Sequence, residues 1–243
     1  RHPRHPWIME SFTPDWQLIK GQNTHMNVGH NAEVVWLMLR LYHLTGDPVY
    51  RKHARTLHQP LVQQAYDTAS GAWYHQIPVD KAQPKMATAS WWVQAYGNMT
   101  QLYLYRVMQD QQYLERFQAG CRFWNEAFLD EQYGGTVLKA DLAGNPEKGA
   151  KAVRTKTAYH AMEHALLNYC YLKLWVQDQP ARLHYRLTNT TKGDQFRPVF
   201  LADPEIRIQQ VTINGEPWKQ FQPKEQVITL PEGEALRLTI TLQ

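Results

Sequence analysis

The feature that most limits the fold of this chain is a repeated order of helix, short turn, helix and long loop. The spacing of apolar residues and the stop signals between them predict five helices. Two short connections, GDP at 46–48 and QDQ at 109–111, each join two helices into an antiparallel hairpin. The predicted helices span 31–45, 48–66, 88–109, 111–129 and 157–177, and the apolar density at 34–44 predicts a helix buried nearly all round.

The loops that follow the hairpins repeat a motif. Segments 67–71 and 130–134 both read Asp-x-x-x-Gly, and ESFTPDWQLI at 10–19 is a more divergent third copy. Helix pairs joined alternately by short turns and long loops indicate a toroid of helical hairpins. The helices that follow the long loops, which we call the inner helices, then begin at one shared rim. We therefore expect a pocket at that rim.

The pattern changes after Pro180. The segments RLHYRLTN, FRPVFLAD, IRIQQVTING, QVITLP and LRLTITLQ alternate apolar and polar residues and are separated by Asn-Gly, Pro and Gly. Such segments are typical of short antiparallel strands. The predicted fold class is mainly α: a partial ring of helical hairpins at 1–179, followed by a small antiparallel β domain at 180–243.

Composition removes several classes of function. The 243 residues are 43% hydrophobic, and the net charge of +4 comes from scattered Lys and Arg, so we expect no nucleic-acid partner. No apolar stretch approaches the roughly 20 residues of a membrane span. Cys121 and Cys170 both lie in predicted helices, which favours a reducing, cytoplasmic location. Because the first residue is Arg, we expect a fragment or a processed product.

Two inner helices begin with the same motif, His-x-x-Glu, formed by His30 with Glu33 and by His160 with Glu163. An imidazole gains or loses a proton near neutral pH, so two of them at one rim predict an acid/base pair. In the alternative interpretation, both glutamates are capping-box residues. His160 and His164 have the spacing of two metal ligands, but the sequence offers no third ligand, and we predict no metal.

Tryptophans mark the same region. Trp73 follows the first Asp-x-x-x-Gly turn, and Trp91 and Trp92 start an inner helix. An indole ring buries the apolar face of a sugar well, so these residues predict carbohydrate, with core packing as the alternative. Adjacent helical residues point about 100° apart, so at most one of Trp91 and Trp92 faces the pocket.

Taken in order, five motifs resemble the N-acylglucosamine 2-epimerase superfamily, which includes cellobiose 2-epimerases and aldose–ketose isomerases. They cover about 7–176 and read GHNAEVVWLMLR, DTASGAW, ASWWVQA, DEQYGG and KTAYHAMEHALL. The resemblance implies an (α/α)6 barrel, of which this chain would hold about half. It also implies that His30 and His160 are catalytic, that Glu33 lies near the substrate and that Trp73 and Trp92 stack on it. As the carboxylate of the second His-x-x-Glu motif, Glu163 is also predicted to contact substrate.

Two positions depart from the family pattern. Family members usually have Glu where this chain has Tyr96, and several epimerases have Arg where Glu163 stands. The expected partners are a mono- or disaccharide and either a missing N-terminal half-barrel or a second copy of the chain.

The leading functional hypothesis is a cofactor-independent sugar 2-epimerase or aldose–ketose isomerase. An inverting glycoside hydrolase is the first alternative, because Glu33, Glu163 and Asp67 are available as paired carboxylates. A non-catalytic carbohydrate-binding or partner-binding relic is the second alternative.

Overall fold

The computed structural model describes residues 7–80, 85–198 and 203–243. The chain divides into two compact units, the first ending at Asn168 and the second beginning at Tyr169. The first unit contains the helical hairpins. The first strand of the second unit begins at Ala181.

In the residues that the structure describes, five α-helices confirm the predicted helical pattern. The first hairpin is α1 with α2, the second is α3 with α4, and α5 ends in a π-helical turn, Leu172–Val176. Their bounds are α1 Val28–Thr45, α2 Pro48–Ala65, α3 Trp91–Met108, α4 Gln111–Phe128 and α5 Tyr159–Tyr171.

The helix predicted at 88–109 begins three residues later because its first residues form a strand. Strand β3, Thr88–Ser90, pairs antiparallel with β4, Lys139–Asp141. In the same way β1, His25–Asn27, pairs with β2, Gln76–Pro78. Each of these two-stranded sheets joins the strand before an inner helix to the loop of the next repeat. Strands of three residues are too short for periodicity to reveal them.

The repeated turns are each closed by an isolated β-bridge. Tyr66 pairs with Trp73 across the first Asp-x-x-x-Gly turn, and Leu129 pairs with Thr136 across the second. A third bridge, between Phe12 and Leu18, closes the divergent turn near the start of the described chain.

Helix α3 is the centre of the helical unit. It packs between α1 and α4, and every residue from Val93 to Leu104 is buried. The prediction that α1 is buried nearly all round is wrong, because Leu37 and Leu44 are 42% and 50% exposed. Within the described residues, α2 and α3 are the helices with which α1 makes its most extensive contacts.

The second unit confirms the predicted antiparallel β module. A four-stranded sheet has the order β5-β11-β7-β8, and a three-stranded sheet has the order β6-β10-β9. Residues 199–202, inside the predicted segment FRPVFLAD, lie outside the described residues. The strands are β5 Ala181–Thr190, β6 Gln195–Phe196, β7 Ile208–Ile213, β8 Glu216–Trp218, β9 Phe221–Gln222, β10 Val227–Thr229 and β11 Gly233–Leu242.

Candidate active site

A cleft of about 380 Å³ lies where the inner helices α1, α3 and α5 begin. It contains four of the six site residues predicted from the sequence, and it also contains residues of the loops before α3 and α5. The prediction that at most one of Trp91 and Trp92 faces the pocket is wrong, because both line the cleft. The lining residues are His30, Glu33, His75, Ser90, Trp91, Trp92, Leu138, Lys139, Thr155 and His160.

The start of α1 shows that Glu33 is not a helix cap. Asn27 is the N-cap, and its side chain accepts the N–H of His30 at 3.2 Å. His30 is thus the third helical residue, and Glu33 lies beyond the first turn. Glu163 is the fifth residue of α5, which also has no acidic residue in its first turn. The capping-box interpretation is therefore wrong for both glutamates.

Trp92 stands between three imidazole rings. Its ring centroid lies 5.0 Å from that of His30, 6.0 Å from that of His160 and 6.5 Å from that of His75. The same indole lies against the backbone of Gly29, where an added Cβ would come 2.2 Å from Cζ3 of Trp92. The glycine before His30 is therefore needed for the approach of α3 to α1.

His160 lies in an aromatic environment. Its ring centroid is 5.0 Å from that of Tyr159, 5.5 Å from that of Tyr96 and 6.1 Å from that of Trp91. Burial lowers the pKa of His160, while the nearby charge of Glu33 acts in the opposite direction. A lowered pKa favours the neutral imidazole, which is the form that can accept a proton.

His30 pairs with a residue that the sequence does not single out. Its Nδ1 makes a short hydrogen bond with Oε1 of Glu10, and both side chains are about half exposed. Glu10 lies in the loop before α1, twenty residues from its partner. It begins the divergent turn segment 10–19, but nothing in that segment marks it as a partner of His30.

His75 is a second residue that sequence reasoning missed. Its Nδ1 lies 2.9 Å from Oγ of Ser90, and burial lowers its pKa, with a smaller effect from the charge of Lys139. His75 directly follows the Trp-Tyr pair after the first Asp-x-x-x-Gly turn. The sequence does not single it out, because no second copy of the repeat has a histidine at the matching place.

Trp73 is placed in the interior rather than in the cleft. Its side chain is 1% exposed and lies against Gly97, where an added Cβ would come 2.4 Å from Cδ1 of the indole. The backbone of Trp73 donates to Gln94 Oε1 at 2.8 Å and accepts from Gln94 Nε2 at 2.6 Å. Trp73 thus connects the turn to the central helix.

Glu163 lies beside His160 but is not among the residues that line the cleft. Its carboxylate accepts hydrogen bonds from Tyr159 at 3.2 Å and from Tyr96 at 3.3 Å. Burial raises the pKa of Glu163. The two positions that depart from the family pattern, Tyr96 and Glu163, are therefore direct partners of each other.

His164 does not form a metal site with His160. It is buried with its ring centroid 4.4 Å from that of Trp124, and burial lowers its pKa to about 4. Within 7–80, 85–198 and 203–243, no group of three or more His, Cys, Asp or Glu side chains is arranged to hold a metal ion. None of the helices in those ranges is both long and apolar enough to span a membrane.

Residues 2–164 match the family model of N-acylglucosamine 2-epimerase. Since this match covers more than half of the chain, the protein belongs to that family. A sequence comparison with curated proteins finds no match.

Solved structures show the same helical fold. A cellobiose 2-epimerase from Spirochaeta thermophila DSM 6192 is 23% identical with a TM-score of 0.61, over 70% of this chain and 43% of that one. A D-mannose isomerase is 22% identical with a TM-score of 0.58, over 67% of this chain and 43% of that one. A family 76 mannosidase from Bacteroides thetaiotaomicron VPI-5482 is 14% identical with a TM-score of 0.52, over 63% and 40%.

The chain thus spans less than half the length of the solved structures it matches. The helical unit is part of an (α/α)6 barrel, as the resemblance implies. Because the mannosidase shares this fold, the fold alone does not distinguish isomerisation from hydrolysis.

Proposed function

We propose that the protein is a cofactor-independent sugar 2-epimerase or aldose–ketose isomerase in which His30 and His160 are the acid/base pair. The observation that carries this proposal is the convergence of two imidazoles from different inner helices on Trp92 at one cleft. Two groups that exchange protons near neutral pH are what a reaction at the carbon next to a carbonyl requires.

In this reaction one imidazole removes the C2 proton of the open-chain aldose. The electrons of the C–H bond form the C1–C2 double bond of an enediolate, and the negative charge moves to the carbonyl oxygen. The other imidazole, protonated, returns a proton to the opposite face of C2 and gives the epimer. Delivery of the proton to C1 instead, with transfer of the hydroxyl proton from O2 to O1, gives the ketose.

The remaining cleft residues have supporting roles. Glu33 is the carboxylate of the cleft lining, and we assign it to a sugar hydroxyl and to the charge balance of His160. Trp92 offers an indole face next to both histidines. Glu163 does not line the cleft, and we assign it an indirect role through Tyr96 and Tyr159, whose rings lie next to His160.

The glycoside hydrolase alternative has less support. An inverting hydrolase needs two carboxyl groups on opposite sides of the scissile bond. Among the lining residues of the cleft, Glu33 is the one carboxylate. Asp67 instead closes its turn, because it accepts the N–H and the hydroxyl of Ser70 at 2.9 and 2.6 Å.

The test is solvent exchange at C2. The protein is incubated in D2O with D-mannose and, separately, with cellobiose, without added metal or nucleotide and with EDTA in parallel. We expect deuterium at C2 of at least one sugar, unaffected by EDTA. That exchange should be lost in either His30→Gln or His160→Gln, according to which imidazole is the base for that sugar, but not in His53→Gln, which replaces an exposed histidine of α2. Release of monosaccharides from cellobiose without exchange would support the hydrolase instead.

A further inference from the structure

We propose that Glu10 is a positioning residue that holds the proton of neutral His30 on Nδ1, so that Nε2 is the atom that exchanges protons with substrate. This inference rests on the proposed function for its consequence in catalysis. Its chemical basis is the hydrogen bond between Nδ1 of His30 and Oε1 of Glu10.

The donor in this hydrogen bond follows from the chemistry of the two groups. An ionised carboxylate has lone pairs and no proton, so it can only accept. Nδ1 of His30 must therefore be the donor. In the neutral ring the second nitrogen, Nε2, then carries the free lone pair and is the base.

The position of Glu10 is fixed by the chain on one side of it. Asn31, which is 3% exposed, accepts the N–H of Ile8 at 2.8 Å and donates to the carbonyl of Ile8 at 3.1 Å. Its amide also donates to the carbonyl of Asn27, the N-cap of α1, at 2.9 Å. The residue after His30 thus ties the Glu10 loop to the start of the same helix.

A second asparagine holds the other side of the loop. Asn23 Oδ1 accepts the N–H groups of Glu10 and Ser11 at 3.3 and 3.2 Å, and its Nδ2 donates to the carbonyl of Ser11 at 2.8 Å. Met9 lies between Ile8, which Asn31 holds, and Glu10, which Asn23 holds, and it is buried with 4% exposure. Most exposed ion pairs have to order two mobile side chains. Here the loop that carries the carboxylate is already held in place.

His30 and His160 differ in the hydrogen bonding of Nδ1. Nδ1 of His160 is buried and has no hydrogen-bond partner in the described residues. The ring of His30 does have a partner, but this partner is not Glu33, which lies only one helical turn away. The acceptor of the Nδ1 proton is Glu10, which is distant in the sequence. Its charge also stabilises the imidazolium that forms when His30 accepts a proton, as an orienting carboxylate does in a catalytic triad.

The first test measures the tautomer directly and does not depend on activity. The ¹⁵N shifts of the His30 ring are recorded at alkaline pH and are assigned by their loss in His30→Gln. We expect the Nδ1–H form in the wild-type protein and a shift towards the Nε2–H form in Glu10→Ala. Glu131→Ala removes an exposed carboxylate elsewhere and should leave the spectrum unchanged.

The second test measures catalysis. Glu10→Ala should lower kcat for C2 exchange at least about tenfold with little change in KM, because an acid/base group typically contributes 10²- to 10⁴-fold and would here be misoriented. A wild-type ring in the Nε2–H form, or an unchanged kcat in Glu10→Ala, would overturn the proposal. Absence of exchange in the wild type with the Nδ1–H form present would instead contradict the proposed function.

Discussion

At the scale of single residues, the site depends on how closely Trp92 approaches Gly29. The indole reaches His30, His75 and His160 because the residue before His30 has no side chain. A ring placed in this way brings residues of three chain segments to one cleft. The motif Gly-His is therefore explained by packing at its first position and, in the mechanism proposed above, by proton transfer at its second.

Replacing Gly29 with Ala should disturb this contact. The new methyl group would overlap the Trp92 ring, and overpacking of this kind typically costs about 1–3 kcal/mol of unfolding free energy. Urea unfolding measures the interaction free energy between the two positions, from the wild type, Gly29→Ala, Trp92→Leu and the double variant. We expect Gly29→Ala to cost much less in the Trp92→Leu background. An equal cost in both backgrounds would mean that the ring is not what excludes the methyl group.

Glu33→Gln separates charge from shape at the cleft. Because Glu33 is not a helix cap, we expect little change in the free energy of unfolding, but a fall in kcat/KM of more than about tenfold, equivalent to about 1.4 kcal/mol. Steady-state kinetics and urea unfolding of the same preparation measure the two effects. Full activity in Glu33→Gln would remove Glu33 from the site.

The same variant should change the pH profile. Glu33 raises the pKa of His160 against the lowering effect of burial. Without that carboxylate the pKa of His160 falls further, so the free base persists to lower pH. The ascending limb of kcat/KM against pH should therefore move towards lower pH in Glu33→Gln. A shift towards higher pH would contradict the assigned electrostatics.

The residues of the site differ in how far the sequence reveals them. His30 and His160 could be predicted because the same motif starts two inner helices, and repetition is visible in one chain. Glu10 and His75 could not, because their approach to the cleft depends on loop geometry. Trp73 was predicted to contact substrate but is buried in the interior, because an aromatic residue suits a sugar site and a core equally well.

At the scale of elements, polar side chains on the buried helix α3 connect it to its neighbours. Thr100 donates to the carbonyl of Ala32 in α1 at 3.0 Å, and Gln101 Nε2 lies 2.8 Å from Nε2 of His58 in α2. Buried polar groups are costly unless they are paired, so these contacts fix how the hairpins pack.

The contact between α2 and α3 makes stability depend on pH. Burial lowers the pKa of His58 from 6.5 to about 3. Between these values the unfolded chain binds a proton that the folded chain does not, so stability is complete above the unfolded pKa and falls as the pH decreases. His58→Gln should reduce the slope of the unfolding free energy by up to about 1.4 kcal/mol per pH unit.

Urea unfolding at a series of pH values measures this slope. His53→Gln on the same helix replaces an exposed histidine and is the matched control. The expected result is a flatter curve for His58→Gln and a wild-type curve for His53→Gln. Two equally flattened curves would show that the effect does not come from the buried contact.

The elements themselves were largely predictable. Long helices with short connections leave a strong periodic signal, and the alternating strands after Pro180 do as well. What the sequence did not show was the pair of short sheets at the rim, which changed the predicted start of α3. It also overstated the burial of α1, because apolar density does not say which neighbours are present.

At the scale of the whole molecule, α1 leaves an apolar stripe without cover in the described chain. Val34, Leu37, Leu41 and Leu44 follow each other at helical spacing and are half-buried or exposed. Contiguous exposed apolar surface favours association. This chain covers only 43% of the matched cellobiose 2-epimerase chain and 43% of the matched D-mannose isomerase chain, and we expect the stripe to form a helix–helix contact.

The stripe should therefore govern self-association of this chain. Sedimentation velocity should show larger species that shift towards the monomer in a Leu37→Lys, Leu44→Lys variant. Met86→Lys removes an apolar side chain of similar exposure in a loop and is the control. A monomeric wild-type chain would contradict the prediction, and so would equal dissociation by Met86→Lys.

The central claim is that two histidines act on opposite faces of one carbon, and exchange at C2 of each separate epimer tests it most directly. The epimeric sugars are incubated in D2O with the wild type, His30→Gln and His160→Gln, and deuterium at C2 is followed before any inversion. Each variant should lose epimerisation by at least about 100-fold, and each should lose exchange with a different epimer while keeping exchange with the other. If either variant exchanges and inverts both epimers at the wild-type rate, the two-histidine account is wrong.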